Sequence, residues 1–531
     1  MNMSPLVDDY MHAYENTSRF FNGDFRDLAA FQDQAEKIRS LDRDRGPLIA
    51  VLAQQNRDFG CGGQTLENIE RLSRDRACAV VTGQQVGLFS GPLYTIYKSL
   101  TAIKLAEHLN QRLSGSFVPV FWLASDDHDF AEIDHIDLLD LDNQIEKVRY
   151  KSRTSRLKIP AAKRVFSSQI ENCLERLSDL TRDSEFKAEI LANLREAYRT
   201  GRSFADAFAR WMARLFDSFG LILVDGSHPE LKRLGKKIFA LEIGGYSPST
   251  VNALRTADEL NQANYHQQVQ LREGLLNLFF IEKERKALRW KGDEFFIKET
   301  GGTYSRSELL ELLDENPDMF SPNVLLRPIY QDYLFPTVAY VGGPGEIAYF
   351  AQMKKVYESY DVPMPIIYPR KTVTVIEKHV DAVLYRYGIK VQDVWQEAQN
   401  LVKEIAKKQI PASIDRVFRM AATHIREDFQ AIKQEIKTLE ATLEGSVDLA
   451  FGRVDRQLKI LEDKVSRASQ KRDQELSRQL HRAVNSLYPL GVLQERVFNI
   501  VPFLIKYGYP FIEGLYEILD MEDHNHQVIR L

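Results

Sequence analysis

Ala77–Asp137 reads ACAVVTGQQVGLFSGPLYTIYKSLTAIKLAEHLNQRLSGSFVPVFWLASDDHDFAEIDHID, and this stretch decides the fold. It opens on an apolar run, Ala77–Val81, too short for a helix and closed by Thr82-Gly83, which reads as a buried strand. A loop with Gly83, Gly87, Gly91 and Pro92 follows. Apolar residues then recur at Leu93, Ile96, Tyr97, Leu100, Ile103 and Leu105, the spacing of an amphipathic helix. Ser116–Ala124 is a second buried strand that runs straight into Asp126-Asp127-His128-Asp129. Strand, glycine loop, helix, strand is half of a doubly wound parallel α/β sheet. Ligands collect at the carboxyl ends of such strands, where both polar clusters lie.

Working outward, residues 1–75 read as a helical cover with Phe20, Phe21, Phe25 and Phe31 as anchors. Residues 76–228 and 322–374 read as the Rossmann-like core, with a largely helical insertion at about 140–200 after a charged, irregular start. Leu221–Val224 is a third buried strand ending at Asp225. From 229 to 321 the pattern changes to helices followed by a small antiparallel meander (Leu278–Glu282, Ala287–Lys291, Glu294–Lys298), the form of an accessory insertion. Apolar sequence up to Tyr340 leads to VGGPGEIAYF, where Gly342, Gly343 and Gly345 turn the chain into a helix with Glu346 in its first turn. Pro365–Tyr368 is the last sheet-like run, followed by Arg370-Lys371-Thr372.

Residues 375–485 are helical. One apolar seam runs from Ile414 through Phe418, Ile425, Phe429 and Ile436 to Leu443, and a second from Phe451 through Leu458 and Val465 to Ala468, with a break expected at Gly445-Ser446. Steps of three and four residues predict an antiparallel coiled-coil hairpin roughly 45 Å long, with self-association as a homodimer. Residues 486–531 are apolar again and are expected to return to the core.

Composition narrows the function classes. The chain has 531 residues, a net charge of -5 and 27% charged residues, which disfavours a general nucleic-acid binder. The start, MNMSPLVDDY, has neither the basic flank nor the apolar core of a signal peptide, and no apolar run is long enough to span a membrane. The three cysteines, Cys61, Cys78 and Cys173, show no metal or disulfide spacing and fit a reducing cytoplasm.

Two clusters carry candidate chemistry. In the first, backbone amides between Gly83 and Gly91 suit a phosphate or carboxylate, with Gln84, Gln85, Tyr94 and Thr95 adding polar groups and Lys98 one turn further on. A tight turn without a ligand reads equally well. In the second, Asp126, Asp127, His128, Asp129 and Glu132 read in three ways: a metal site, an acid–imidazole group that holds an amine and handles its proton, or the cap of a helix beginning near Phe130, with Asp129 as N-cap. No dedicated metal is expected; Mg²⁺ carried by a nucleotide is the more natural form. Arg370 and Lys371 read as a cationic turn that neutralises phosphate, or as a solvated charge run.

At these residues the sequence resembles a known family, the cysteine-adding enzymes (cysteine ligases) of bacillithiol biosynthesis. The resemblance lies in TGQQVGLFSGPLYTIYK (82–98), PVFWLASDDHDFAEIDH (119–135), LRPIYQDYLFPTVAYVGGPGEIAYF (326–350) and LQERVFNIVPFLIKYG (493–508). It implies a Rossmann-like core with connecting-peptide insertions and a coiled-coil dimer region, akin to class I aminoacyl-tRNA synthetases. It also implies an enzyme joining the carboxylate of L-cysteine to the amine of glucosaminyl-malate, with ATP activating the carboxylate, most simply as a cysteinyl-adenylate. On that reading the Gly83–Gly91 loop with Lys98 and Lys371 binds phosphates. Asp127, His128 and Asp129 hold an ammonium, and His128 takes the amine proton; Asp225, Gly342, Gly343 and Glu346 face the same cleft. Two competing readings are a non-catalytic coiled-coil scaffold on a degenerate core and a nucleotidyl-transfer ligase with other substrates, even an RNA-directed one.

Overall fold

The computed structural model describes residues 4–41, 43–271, 274–297, 302–395, 412–472 and 474–531. Five strands form one wholly parallel sheet: β1 (Ala77–Gln84), β2 (Ser116–Leu123), β3 (Ile222–Asp225), β4 (Thr337–Gly342) and β5 (Ile366–Pro369). Their order is β5-β4-β1-β2-β3, the doubly wound arrangement expected from the sequence, with the strand order reversing between β1 and β4. Each strand is a short, almost fully buried apolar run, as a sheet covered on both faces requires. The crossover from β1 to β2 is the helix Tyr94–Arg112. Strand β1 runs three residues beyond the predicted Val81, so that Gly83 pairs with Trp122. A Cβ at Gly83 would stand 2.7 Å from the Trp122 carbonyl oxygen, so only glycine fits that register.

The amino-terminal residues form helices Pro5–His12, Leu28–Arg39, Gly46–Phe59 and Gly63–Leu72, and Phe20, Phe21, Phe25 and Phe31 are buried in the core. These helices also close the edge of the sheet. The Asn56 side chain accepts from the Leu223 N–H and donates to the Leu223 carbonyl, both at 2.9 Å. Gln55 does the same for Asp225 at 3.1 and 3.2 Å. Side-chain amides thus satisfy the outer rim of β3 as a further strand would, which removes an open pairing edge.

Between β3 and β4 lie helices Pro229–Gly244 and Pro248–Gln262, and a five-stranded antiparallel sheet. The predicted meander is its centre (Leu275–Ile281, Arg285–Lys291, Glu294–Ile297), flanked by Phe320–Pro322 and Thr303–Ser305; Lys298 lies outside the described residues. The start of the stretch after β2 departs from the irregular reading: His135–Leu139 and Ile145–Arg149 form an antiparallel hairpin. The helix expected near Phe130 is a single turn, Phe130–Ile133, and the Asp129 side chain does not cap it.

Contacts divide the chain into two units, one of residues 1–141, 145–373 and 495–527, the other of 142–144, 374–494 and 528–531. The second unit has its own apolar core, including Val380, Leu384, Val394, Leu480 and Leu487. Its long helices Ala412–Leu439 and Glu444–Arg472 pack antiparallel, with Phe429 against Phe451 at 5.7 Å and Lys433 paired with Asp448 at 2.6 Å. The turn falls at Ala441–Leu443, not at Gly445-Ser446, which instead sits in the first turn of the second helix. The side chains of Ile414 and Ala468 lie outside the described set.

Replacing Asn56 by Ala removes both links to Leu223 while leaving its backbone groups buried. We expect a loss of about 3 kcal/mol, read as an earlier urea transition, whereas Glu67→Ala on the exposed face of a neighbouring helix should shift it by less than about 0.5 kcal/mol.

Candidate active site

A cleft of about 340 Å³ opens at the carboxyl ends of β1, β2 and β4, where the strand order reverses. Gly83, Gln84 and Gln85 line it from β1 and its exit, Asp127 and Glu132 from the segment after β2, and Tyr340, Gly343 and Glu346 from β4 and the helix Pro344–Phe350. Tyr94, Lys98, Arg327, Tyr349, Arg370 and Arg496 complete the wall.

At its floor the Lys98 ammonium is buried and reaches Glu346 at 2.5 Å, the Gly83 carbonyl at 2.7 Å and Gln84 Oε1 at 3.0 Å. Burial pushes Lys98 below its ordinary range, and Glu346 opposes that shift. Burial also works against the Glu346 charge, but Lys98, the Gly343 N–H at 2.8 Å and the Tyr340 hydroxyl at 2.8 Å hold its carboxyl below the usual range. Lys98 is therefore committed to Glu346, not open to a ligand's phosphate.

The glycine loop serves the fold. Phe89, Ser90 and Gly91 have φ of 50°, 78° and 69°, three successive left-handed residues, a costly run for the two that are not glycine. They are held from outside: Asn499 donates to the carbonyls of Phe89 (2.8 Å) and Gly91 (2.6 Å), and the Tyr198 hydroxyl accepts from the Ser90 N–H at 3.2 Å. The Gly91 N–H is spent on Leu88. Gly91 and Thr95 are buried and do not line the cleft.

The cationic turn is not a solvated run either. Arg370 is buried against Glu495 at 2.9 Å, and still presents an edge to the cleft beside the Tyr94 ring. Lys371 points elsewhere, donating to the carbonyls of Met521 (2.6 Å) and Asp523 (2.9 Å) and meeting His524 Nδ1 at 3.0 Å. Burial pushes it down to about 8, and since its ammonium is engaged by these partners and does not line the cleft, it stands apart from the expected phosphate set.

In the acidic cluster, Asp127 takes a hydrogen bond from Gln85 at 2.6 Å and from the backbone N–H groups of His128 (2.7 Å) and Asp129 (3.3 Å). Its carboxyl lies below the ordinary range: burial raises it, and Gln85, Arg285 and the two amides outweigh that. Asp126 pairs with buried Lys232, and His128 meets Arg285; Asp126, His128 and Asp129 do not line the cleft, which from this cluster takes Asp127 and Glu132. Asp225 turns away from the cleft, accepting from Ser125 and from the Ser227 N–H and hydroxyl. Gly342 ends β4 and accepts from the Arg370 N–H at 2.8 Å. No group of three or more His, Cys, Asp or Glu among the described residues is arranged to hold a metal ion.

Two arginines were not singled out from sequence. Arg327 bonds Gln331 (2.9 Å) and the Tyr349 hydroxyl (3.0 Å), and Arg496 lies exposed at the rim. No carboxylate among the described residues forms an ion pair with either. The available signal was charge set among apolar residues, Arg327 alone in LRPIYQ and Arg496 beside Glu495 in LQERVF. The cleft wall thus carries both signs of charge, Arg327, Arg370 and Arg496 together with Asp127 and Glu132.

Removing one partner of the floor pair strands a buried charge. Lys98→Met and Glu346→Gln should each cost about 3 kcal/mol in urea unfolding, and the double variant clearly less than their sum.

Comparison with known proteins agrees with this architecture. Residues 1–371 match the family model for the bacillithiol biosynthesis BshC N-terminal Rossmann-like domain, and residues 373–531 the model for its C-terminal coiled-coil domain. A Salinibacter ruber protein named "Putative cysteine ligase BshC" is 34% identical over 99% of this chain and 96% of its own length. A Koribacter versatilis protein of the same name is 36% identical over 92% and 90%. A Campylobacter jejuni structure described as a "putative arginyl t-RNA synthetase" aligns at 11% identity with a TM-score of 0.21, too slight a likeness to carry an argument. With both of its domains matched over nearly every residue, the chain belongs to the bacillithiol biosynthesis BshC family.

Proposed function

We propose that this protein is an amide-forming ligase that adds L-cysteine to glucosaminyl-malate, the last step of bacillithiol assembly. The observation that carries the reading is the mixed charge of the cleft: Arg327, Arg370 and Arg496 and the carboxylates Asp127 and Glu132 line one space sized for a small ligand, which suits a molecule bearing both carboxylate and ammonium groups. The names of the full-length relatives point to the same substrate.

A carboxylate does not condense with an amine near neutral pH, because its oxygen is a poor leaving group. ATP, carrying Mg²⁺, supplies a better one when bound. The residues present fit an anion of that kind: Arg327 and Arg496 have donors that no carboxylate ion pair consumes, and Arg370 stands beside them. In this reading these arginines hold phosphate and carboxylate oxygens. The carboxylates of Asp127 and Glu132 hold the ammonium, and the Lys98–Glu346 pair fixes the floor. The reducing cytoplasm suits an enzyme that handles free thiols and has three unpaired cysteines of its own.

Incubating the purified chain with L-cysteine and glucosaminyl-malate, with and without ATP, should give a product of the summed mass less one water only when ATP is present. Arg496→Ala, at an exposed position, should lower kcat/KM by about 10- to 100-fold, roughly the worth of one charge-assisted contact. A folded protein that binds none of the three compounds would be the scaffold of the competing reading, and one that binds ATP without the sugar a different ligase.

The hairpin is the proposed dimer contact. Val417, Met420, Ile432, Leu449 and Leu461 are 45–67% exposed along it, more apolar surface than a solvated helix pair needs. Light scattering should give twice the 61.2 kDa chain mass, and Ile432→Glu with Leu461→Glu should halve it.

A further inference from the structure

The imidazole of His128 has a neighbour that limits which of its nitrogens can carry the proton. Arg285, on the central strand of the insertion's sheet, brings Nη1 to 3.4 Å from His128 Nδ1 and 3.8 Å from Asp127 Oδ1. The guanidinium has little freedom to turn away. Nε donates to the Ser321 hydroxyl at 2.8 Å, Nη2 to the Pro322 carbonyl at 2.5 Å, and the plane lies over the Phe279 ring with Cζ 4.0 Å from its centroid. Its own backbone N–H is tied to the Lys158 carbonyl at 2.8 Å. A guanidinium has only donors and stays charged at every pH a protein survives. The one hydrogen bond it can make to the ring is donated into a bare Nδ1, and a neutral ring with bare Nδ1 carries its hydrogen on Nε2.

We propose that Arg285 is a positioning residue that holds His128 as the neutral Nε2–H tautomer, so that His128 offers the substrate a hydrogen-bond donor and not a proton acceptor. This deepens the ligase reading and rests on it: the partner for Nε2–H is a carbonyl or carboxylate oxygen of the bound substrates, and the proton shed by the amine passes to solvent water. It reverses the role expected of His128 from sequence. The charged surroundings agree with a neutral ring. Burial and the charges of Arg285 and Lys158 push His128 below its ordinary range, against the opposing pull of Asp127 and Asp129.

The test uses the full chain labelled with ¹⁵N-histidine, with the His128 ring signals assigned by their loss in His128→Gln. At pH 7.5 the expected spectrum has a bare Nδ1 and a protonated Nε2. In Arg285→Gln the ring should become a mixture of tautomers and titrate closer to the ordinary 6.5, and the pH profile of kcat/KM should gain a limb there that the parent lacks. A protonated Nδ1 in the parent, a reading that needs no variant to fold, overturns the proposal. So does an Arg285→Gln protein that folds and leaves the tautomer and its titration unmoved. In the ligase assay His128→Gln, whose amide can donate from about the place of Nε2, should keep at least tenfold more kcat/KM than His128→Asn; equal loss in both counts against the donor role. If no amide forms at all, the ligase reading fails, while the ring spectrum still decides the tautomer.

Discussion

An ammonium taken out of water has to meet a counter-charge or lose its proton, and that constraint fixes the geometry of this site. Lys98 stands on the helix after β1, and Glu346 on the helix after β4. The two strands are neighbours where the sheet's order reverses, so their helices leave in different directions and a gap opens between them. The 2.5 Å pair spans that gap. Because Glu346 also takes the Gly343 N–H and the Tyr340 hydroxyl, and Lys98 also donates to Gly83 and Gln84, both strand ends are held in register with each other. A cleft built this way is formed before any ligand arrives, which reduces the ordering cost of binding.

The parallel sheet, its doubly wound class and the site at its strands' carboxyl ends were legible because they follow from periodicity. Short buried runs ending in glycine mark parallel strands, and their carboxyl ends mark the site. The hairpin at His135–Arg149 was hidden for a physical reason: Ile145-Glu-Lys-Val-Arg alternates so that most of its side chains are charged, which in sequence is indistinguishable from a solvated loop. The destinations of the charges were hidden more deeply. Spacing shows that Lys98, Arg370 and Lys371 lie near strand ends, but not that Glu346, Glu495 and the Met521 carbonyl will claim them from far along the chain. The glycine loop misled in the same way: its amides look available until Asn499 and Tyr198 are seen to hold it in place.

Those internal claims decide what the site can recognise. With Lys98 matched by Glu346, Arg370 by buried Glu495 and Lys371 turned away, the positive charge open to a ligand rests on Arg327 and Arg496 and on the cleft-lining edge of Arg370. These residues come from three distant segments, so the wall exists only in the folded chain. The negative corner is equally composite. Asp127 is steadied by Gln85 from the β1 exit and faces Arg285 from the insertion, and Asp126 is matched by Lys232 from the same insertion.

The insertion therefore backs the acidic cluster through Lys232 and Arg285, and its anchoring bears on that cluster. Glu242, fully buried, accepts from Ser247 and Ser249 hydroxyls, from the Asn277 N–H at 2.9 Å and from the Tyr360 hydroxyl. One carboxylate thus ties both insertion helices and the first strand of the small sheet to the segment between β4 and β5. A buried anion with all its acceptor sites used tolerates little displacement, since any lost donor leaves charge uncompensated. Arg285 sits on the strand paired with the one Glu242 holds, so this network steadies the strand while Ser321, Pro322 and Phe279 fix the guanidinium itself. The same carboxylate that holds the insertion in place thus supports, through one strand pairing, the strand that brings a guanidinium to His128.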